Sequence, residues 1–295
     1  MLSWDHRALL ELRGPDAADL LHRISSQDTL GLSVGAAAPG CLLTGKGKLL
    51  AAFWILRPEP ERFVLEVDRP RLDEVRQLVD RFVFAEQVEL VARPELRALA
   101  VVGPEATTRS GQALAAGTVA GTGDLLWVRS DELGVPCLRL WGDAAAVDAE
   151  AARLVDAGLP AGGFTAFEVL RVMAGMPRQG LDADEATIPL EVNLDDWCRV
   201  DKGCYTGQEV IARIHTYGHV NRRLARLRLA LDALPAPGTG LYEGGLEAGR
   251  LTSAVRDPAS GAVLALGMLP LAVLEDDEVE LHLGGAEGPR VELLR

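Results

Sequence analysis

The sequence predicts an α+β protein that ends in a small all-β domain. Three patterns carry this reading. Strand-like and helix-like stretches are mixed, with hairpin signals, through the first 160 or so positions. A long irregular stretch runs from Pro177 to Arg199. Beyond Asn221 only short strand-like runs remain, separated by turn residues.

The elements follow in order. Arg7 to Arg13 reads as a strand, and Gly14-Pro15-Asp16 opens a helix with Pro15 in its first turn. Leu20, Leu21 and Ile24 give that helix an apolar face. Cys41 to Thr44 and Lys48 to Leu56 are β runs joined through Gly45-Lys46-Gly47. Arg62 to Val67 is a third. Leu72, Val75, Leu78, Val79 and Phe82 mark an amphipathic helix. Glu86 to Ala92 and Leu96 to Val102 are strands, and Gly103-Pro104-Glu105 turns into a helix. Leu125 to Val128 and Pro136 to Leu140 are further strands, and the Ala-rich stretch from Asp143 to Ala157 is helical. Thr165 and Glu168 form a capping box for a helix reaching about Met173. Leu224 to Leu231, Leu246 to Val255, Ala262 to Leu269 and Val279 to Leu283 are the strands of a C-terminal β-barrel, punctuated by Asp257-Pro258 and Gly284-Gly285.

At 295 residues and 48% hydrophobic, the chain is long enough for two or three domains with real cores. The divisions expected are 1–95, 96–160, 161–218 and 219–295. No apolar run nears the roughly 18 residues that span a bilayer. The N-terminus lacks a signal-peptide pattern, so a cytoplasmic, membrane-free protein is expected. Cys41, Cys137, Cys198 and Cys204 are too dispersed for a disulfide framework and have no zinc or cluster spacing. No resident metal is expected. A net charge of −13 argues against direct nucleic-acid binding. Arg199, Lys202, Arg213, Arg222, Arg223, Arg226 and Arg228 nevertheless concentrate positive charge, as a small anion or a docking partner would require, or as an ordinary solvated face would show.

Lys202-Gly203-Cys204-Tyr205-Thr206-Gly207-Gln208-Glu209 is the most informative stretch. Thr206 and Glu209 have capping-box spacing, and Val210, Ile211 and Ile214 follow with helical period. A thiol just before a helix, near Lys202 and Arg213, is biased toward thiolate. The plainer alternative is a buried cysteine acting as a small hydrophobe. The glycines and polar residues around it favour close backbone approach instead. No dinucleotide, Walker or G-x-S-x-G motif is present. His215 and His219 lack a third ligand and read as a cationic helix end.

The octapeptide resembles the K-G-C-Y-x-G-Q-E signature of the YgfZ family, folate-binding proteins related to the aminomethyltransferase of the glycine cleavage system. The resemblance covers nearly the whole chain. Ser25-Ser26-Gln27-Asp28, Leu42 to Leu49, Arg171 to Pro177, Pro189 to Leu194, Leu251-Thr252-Ser253 and Ala265-Leu266-Gly267 arrive in the family's order. It implies an aminomethyltransferase-like folate-binding fold of three domains around a central hole. It also implies a role in iron–sulfur cluster assembly or maintenance, reaching enzymes that modify tRNA. Cys204 would be the functional thiol, supported by Lys202 and Glu209. Tetrahydrofolate or a derivative would be held by Gly203, Tyr205, Gly207, Gln208, Arg171, Arg213, Glu191 and Asn193. Iron–sulfur client or assembly proteins would be its partners.

Two alternatives stand beside this one. A tetrahydrofolate-dependent aminomethyltransferase would carry carboxylates where this chain has Ala51, Ala52 and Met173, and without them acid–base help is lost. A non-catalytic docking scaffold would use Arg222 and Arg223 and would not need the thiol.

Overall fold

A computed structural model describes residues 1–295. Its strands are β1 (Leu2–Ser3), β2 (Arg7–Arg13), β3 (Ala36–Leu43), β4 (Leu49–Glu59), β5 (Arg62–Asp68), β6 (Glu89–Arg93), β7 (Arg97–Val102), β8 (Thr118–Thr122), β9 (Leu125–Ser130) and β10 (Cys137–Gly142), followed by β11 (Arg222–Leu229), β12 (Gly240–Glu243), β13 (Leu246–Arg256), β14 (Val263–Pro270), β15 (Leu281–Leu283) and β16 (Arg290–Leu294). The helices are α1 (Ala17–Ile24), α2 (Leu72–Asp80), α3 (Ala106–Ser110), α4 (Ala144–Asp156), α5 (Phe164–Ala174), α6 (Gln208–Tyr217) and α7 (Leu271–Glu275). No helix is long and apolar enough to cross a membrane.

The chain divides into two compact units. The first comprises Met1–Lys46, Leu50–Phe164 and Asp196–Gln208; the second comprises Gly47–Leu49, Thr165–Asp195 and Glu209–Arg295. In the first, strands β1 to β10 form one sheet in the order β1-β7-β10-β9-β8-β3-β4-β5-β2-β6. The middle region therefore continues the N-terminal sheet. The β3–β8 join is narrow: Ala36 faces Thr118, with Ala37 N–H bonded to the Gly117 carbonyl at 2.8 Å.

Period-two alternation gives this sheet two different faces. Leu10, Leu12, Phe53, Ile55, Phe63 and Leu65 pack against Leu20, Leu21 and Ile24 of α1 and Leu72, Val75 and Val79 of α2. Each such buried side chain stabilises by about 1.5–3 kcal/mol. Leu138 and Leu140 of β10 join Val147 and Leu154 of α4 in a second cluster. The alternate positions place Glu66, Trp54, Arg139 and Trp141 on the opposite face. β2 is buried on both faces, so its sequence reads as an apolar run with Glu11 inside it.

The second unit holds a closed six-stranded barrel, β11-β14-β13-β12-β15-β16, around Leu227, Leu241, Leu251, Ala265 and Leu281. Asp257 makes the turn before β14 by accepting the Ala259 and Ser260 N–H groups.

Several expectations need correction. The N-cap of α1 is Asp16, so Pro15 lies outside the helix. Thr165 sits inside α5, and Glu168 pairs with Arg171 and Arg178 rather than capping. Phe82 lies beyond α2 and is exposed. β8, β12 and β16 were not expected: they are short, glycine-flanked and only partly buried, so their apolar periodicity is weak.

Candidate functional site

The octapeptide loop of the first unit is fixed by backbone hydrogen bonds. Ser26, just after α1, is the bracket. Its hydroxyl accepts the Cys41 N–H at 2.8 Å and donates to the Trp197 carbonyl at 2.6 Å. Its carbonyl accepts the Arg199 N–H at 2.9 Å. One buried serine thus joins β3 to the chain entering the loop.

Lys202 makes the second anchor. Its ammonium donates to the carbonyls of His22, Ser25 (2.7 Å) and Gln27 (2.8 Å). The last turn of a helix leaves carbonyls without partners, and a cation is favoured there. Lys202 supplies that cap to α1 from a distant part of the chain. Its charge also lies 4.9 Å from the Tyr205 ring centroid. Burial lowers its pKa to about 8, while Asp28 acts in the opposite direction. All three ammonium N–H groups are committed to carbonyls, so none is left for the Cys204 sulfur. Lys202 therefore supports the loop by positioning it.

Gly203 has a steric reason: a Cβ there would sit 3.0 Å from His22 Nε2. Cys204 is exposed, whereas Cys41, Cys137 and Cys198 are buried. Tyr205 is buried, and its hydroxyl has no hydrogen-bond partner. Gly207 has φ +84°, which favours glycine, and Gln208 then begins α6. Gln208 makes the reach-back contact: its Oε1 accepts the Tyr205 N–H at 3.3 Å, and its Nε2 donates to the Lys202 carbonyl at 3.4 Å. The reach-back bond is therefore made by Gln208 to Tyr205, in the loop before α6, and not by Glu209 to Thr206. Glu209 remains exposed in the first helical turn, where its charge suits the dipole.

The other expected site residues lie in the second unit. Arg171 is 1% exposed. Its guanidinium donates to both Glu168 oxygens (2.8 and 2.7 Å), Asp182 (2.8 Å), the Met176 carbonyl and Ser253. Five donors meet five acceptors, so Arg171 has nothing left for a ligand carboxylate. Glu191 accepts the Ile188 N–H and pairs with Arg222. Asn193, at φ 62°, donates to the Gly175 and Leu224 carbonyls. Arg213 is exposed. The positive cluster is largely neutralised: Arg199 pairs with Asp201, Arg222 with Glu191, Arg223 with Asp195 and Arg228 with Glu292. The arginines read as a docking patch thus have acidic partners within the chain.

The transferase-like positions also resolve. Ala51 packs in the apolar core of the first unit, while Ala52 shares the opposite face of β4 with Trp54. Met173, in the second unit, is half-exposed and brings no acceptor other than its backbone carbonyl, which takes an Arg226 N–H.

Sequence reasoning missed the polar network on the inner sheet face. Arg139 is fully buried, pairs with Glu66 at 3.1 Å and with Glu132, and lies over the Trp4 and Trp54 rings. Trp54 Nε1 donates to Glu132, and the Trp54 ring meets Trp197 edge-on with centroids 6.2 Å apart. This network braces the residue just before Cys198. Its signal was a charge in the middle of an apolar strand, as in Arg139 within Cys137–Gly142. No group of three or more His, Cys, Asp or Glu side chains is placed to hold a metal ion.

The comparisons with known proteins agree on the fold. No family model matches the chain. It is 26% identical over 291 residues to an aminomethyltransferase of Symbiobacterium thermophilum, covering 90% of this chain and 77% of that protein. It is 28% identical over 313 residues to a mitochondrial iron–sulfur cluster assembly factor of Homo sapiens, covering 98% and 82%. The crystal structure of the glycine cleavage system aminomethyltransferase T from Bartonella henselae superposes with a TM-score of 0.87 at 20% identity, over 100% of this chain and 84% of that one. The chain has the aminomethyltransferase fold, and its sequence is similar both to such transferases and to an iron–sulfur assembly factor.

Proposed function

We propose that this protein assembles or maintains iron–sulfur clusters in client enzymes, with the Cys204 thiol as its functional group. One observation carries the reading: Cys204 is the exposed thiol of a loop held at both ends, by Lys202 on the α1 carbonyls and by Gln208 at the start of α6. Such a thiol is open to a client protein or a small reactant while the chain on either side of it is held in place. The similarity to a human iron–sulfur assembly factor supports the cellular role. The test is complementation: a folded Cys204→Ser variant should fail to restore iron–sulfur enzyme activity in cells lacking the protein. Full rescue overturns the proposal.

Tetrahydrofolate is proposed as the small-molecule ligand on the family resemblance. The side chains fit it only in part. Arg171, Glu191 and Asn193 spend their polar groups on protein partners, and Arg213 is the member of that set left exposed. No chemical step is assigned to the folate. Titrating tetrahydrofolate against thermal stability tests binding, and no shift at millimolar ligand removes it from the account.

The second reading, methylene transfer, is favoured by the fold and by the transferase relatives. Ala52 and Met173 leave it without acid–base groups at the expected positions. Robust turnover in a glycine cleavage assay with lipoylated carrier protein would establish it.

A further inference from the structure

A cysteine acts as thiolate, whether it binds iron or attacks an electrophile, so its proton must go somewhere. Lys202 cannot take it, since its ammonium is already committed to three carbonyls. The fold brings a different group against the loop. His22 lies in the last turn of α1, and a Cβ at Gly203 would sit 3.0 Å from its Nε2 and 3.7 Å from its Cδ2. Glycine at 203 thus lets the edge of the imidazole reach the loop. Cys204 is the next residue, its Cα about 3.8 Å further along the chain.

The opposite edge of the ring faces a carboxylate. Nδ1 lies 3.1 Å from Asp28 Oδ1, and the His22 side chain is 14% exposed. Asp28 is itself held in place. Its Oδ1 accepts the Gly31 N–H at 2.9 Å, and its own N–H donates to Gln27 Oε1 at 2.8 Å. A Cβ at Gly31 would meet Asp28 Oδ2 at 2.4 Å, so glycine there leaves the carboxylate its room. Two glycines, Gly31 and Gly203, therefore frame a carboxylate–imidazole pair beside the thiol loop. A carboxylate at Nδ1 favours the proton on that nitrogen and leaves Nε2 as an acceptor. Nε2 has no protein partner of its own. The other charges around the pair are Lys202 on the His22 carbonyl, the Arg199–Asp201 pair, and the Asp19–Arg23 pair on α1; Asp28 acts on both Lys202 and Arg199.

We propose that His22 is the proton acceptor for Cys204 and that Asp28 is the residue that positions it. This rests on the reading of Cys204 as the functional thiol. The order carboxylate, imidazole, thiol is the arrangement that activates a nucleophile through a base and an orienting group. The Cys204 S–H bond breaks, and Nε2 takes the proton directly or through one water. The sulfur keeps the electron pair and uses it for the new bond. With iron as the acceptor, a sulfur–iron bond forms as the proton leaves, and the proton returns when the iron is passed on. With iodoacetamide as a probe, a sulfur–carbon bond forms, iodide departs with its electron pair, and the proton passes from Nε2 to water. No oxidation state changes in either case.

The experiment is alkylation of the purified full-length protein by iodoacetamide, quantified at Cys204 by peptide mass spectrometry from about pH 5.5 to about pH 9, which spans the ordinary histidine and cysteine values. The wild-type rate should rise twice with pH, once as His22 becomes neutral and again as the thiol ionises. His22→Gln should keep only the second rise and be slower near pH 7 by about ten-fold, less than a positioned base can contribute because the thiol still ionises unaided. Asp28→Asn should keep both rises with a smaller loss of rate. Nitrogen-15 NMR of the imidazole reads the same arrangement in the wild-type protein and so stands even if His22→Gln misfolds: in the neutral ring Nδ1 should carry the proton and Nε2 should be bare. An unchanged rate profile in folded His22→Gln, or a neutral ring protonated at Nε2, overturns the proposal. Complementation by Cys204→Ser is a separate matter: full rescue removes the cellular reading of the thiol, while the alkylation profile still decides whether His22 serves it.

Discussion

Lys202 and Arg171 are both cations that the sequence offers to a ligand, and the fold uses them in opposite ways. Arg171 sits among carboxylates, with Asp182 and Glu168 taking most of its donors inside the second unit. Lys202 sits among backbone carbonyls at the end of α1 in the first unit. The first arrangement is a buried ion network that ties α5 to the segment holding Asp182 and to Ser253 of β13. The second is a helix cap made in trans, with an exposed thiol two residues away. A charge matched by charges holds packing together. A charge matched by peptide dipoles fixes a loop while its neighbour stays open to solvent.

The largest effect expected from this contrast is at Arg171. Arg171→Leu leaves Asp182 buried without its cation and should destabilise by about 3–5 kcal/mol, read from urea denaturation. A loss below about 1 kcal/mol would return Arg171 to the surface and to ligand duty. Lys202→Met comes next. It leaves carbonyls at the α1 end without their donor, for about 1–3 kcal/mol, and should speed amide exchange in 198–206 while leaving the barrel protected.

The pH dependence of Lys202 sharpens the same point. Its folded pKa, lowered to about 8 by burial, lies below the ordinary 10.5. Between these values the unfolded chain holds the proton that the folded chain has released. By linkage, this group's contribution to stability therefore rises with pH across the window. The stability difference between wild type and Lys202→Met should grow from pH 8 to pH 10.5; a constant difference would mean that Lys202 is not desolvated.

The smallest effect belongs to a half-buried carboxylate that serves as a control. Glu86 is lowered from 4.5 to about 2, first by the Phe84 N–H and then by Arg23 and the Ala85 N–H among others. Its contribution is present above the unfolded value and lost as pH falls toward 2. Glu86→Gln should flatten the acid limb of the stability profile slightly and leave Cys204 labelling unchanged.

Much of this was legible in the sequence. The apolar period of Leu20, Leu21 and Ile24, the strand from Arg7 to Arg13 and the barrel run from Leu246 onward announce themselves because their burial is one-sided or continuous. The octapeptide located the loop and its thiol. What could not be read was the partner of each polar side chain. Lys202 meets carbonyls about 180 positions earlier in the chain, and Arg139 meets Glu66 across the sheet. Such pairings depend on strand order, which local periodicity does not encode. The helix starts at Gln208, after a turn that Gly207 makes at positive φ, so Thr206 and Glu209 do not fall at the positions of a capping box.

The most direct measurement is iron–sulfur enzyme activity in cells lacking this protein and supplied with either wild type or Cys204→Ser, at matched level and matched thermal stability. The account predicts restoration by wild type and none by the variant. Equal restoration by both would contradict it and leave the loop as architecture alone.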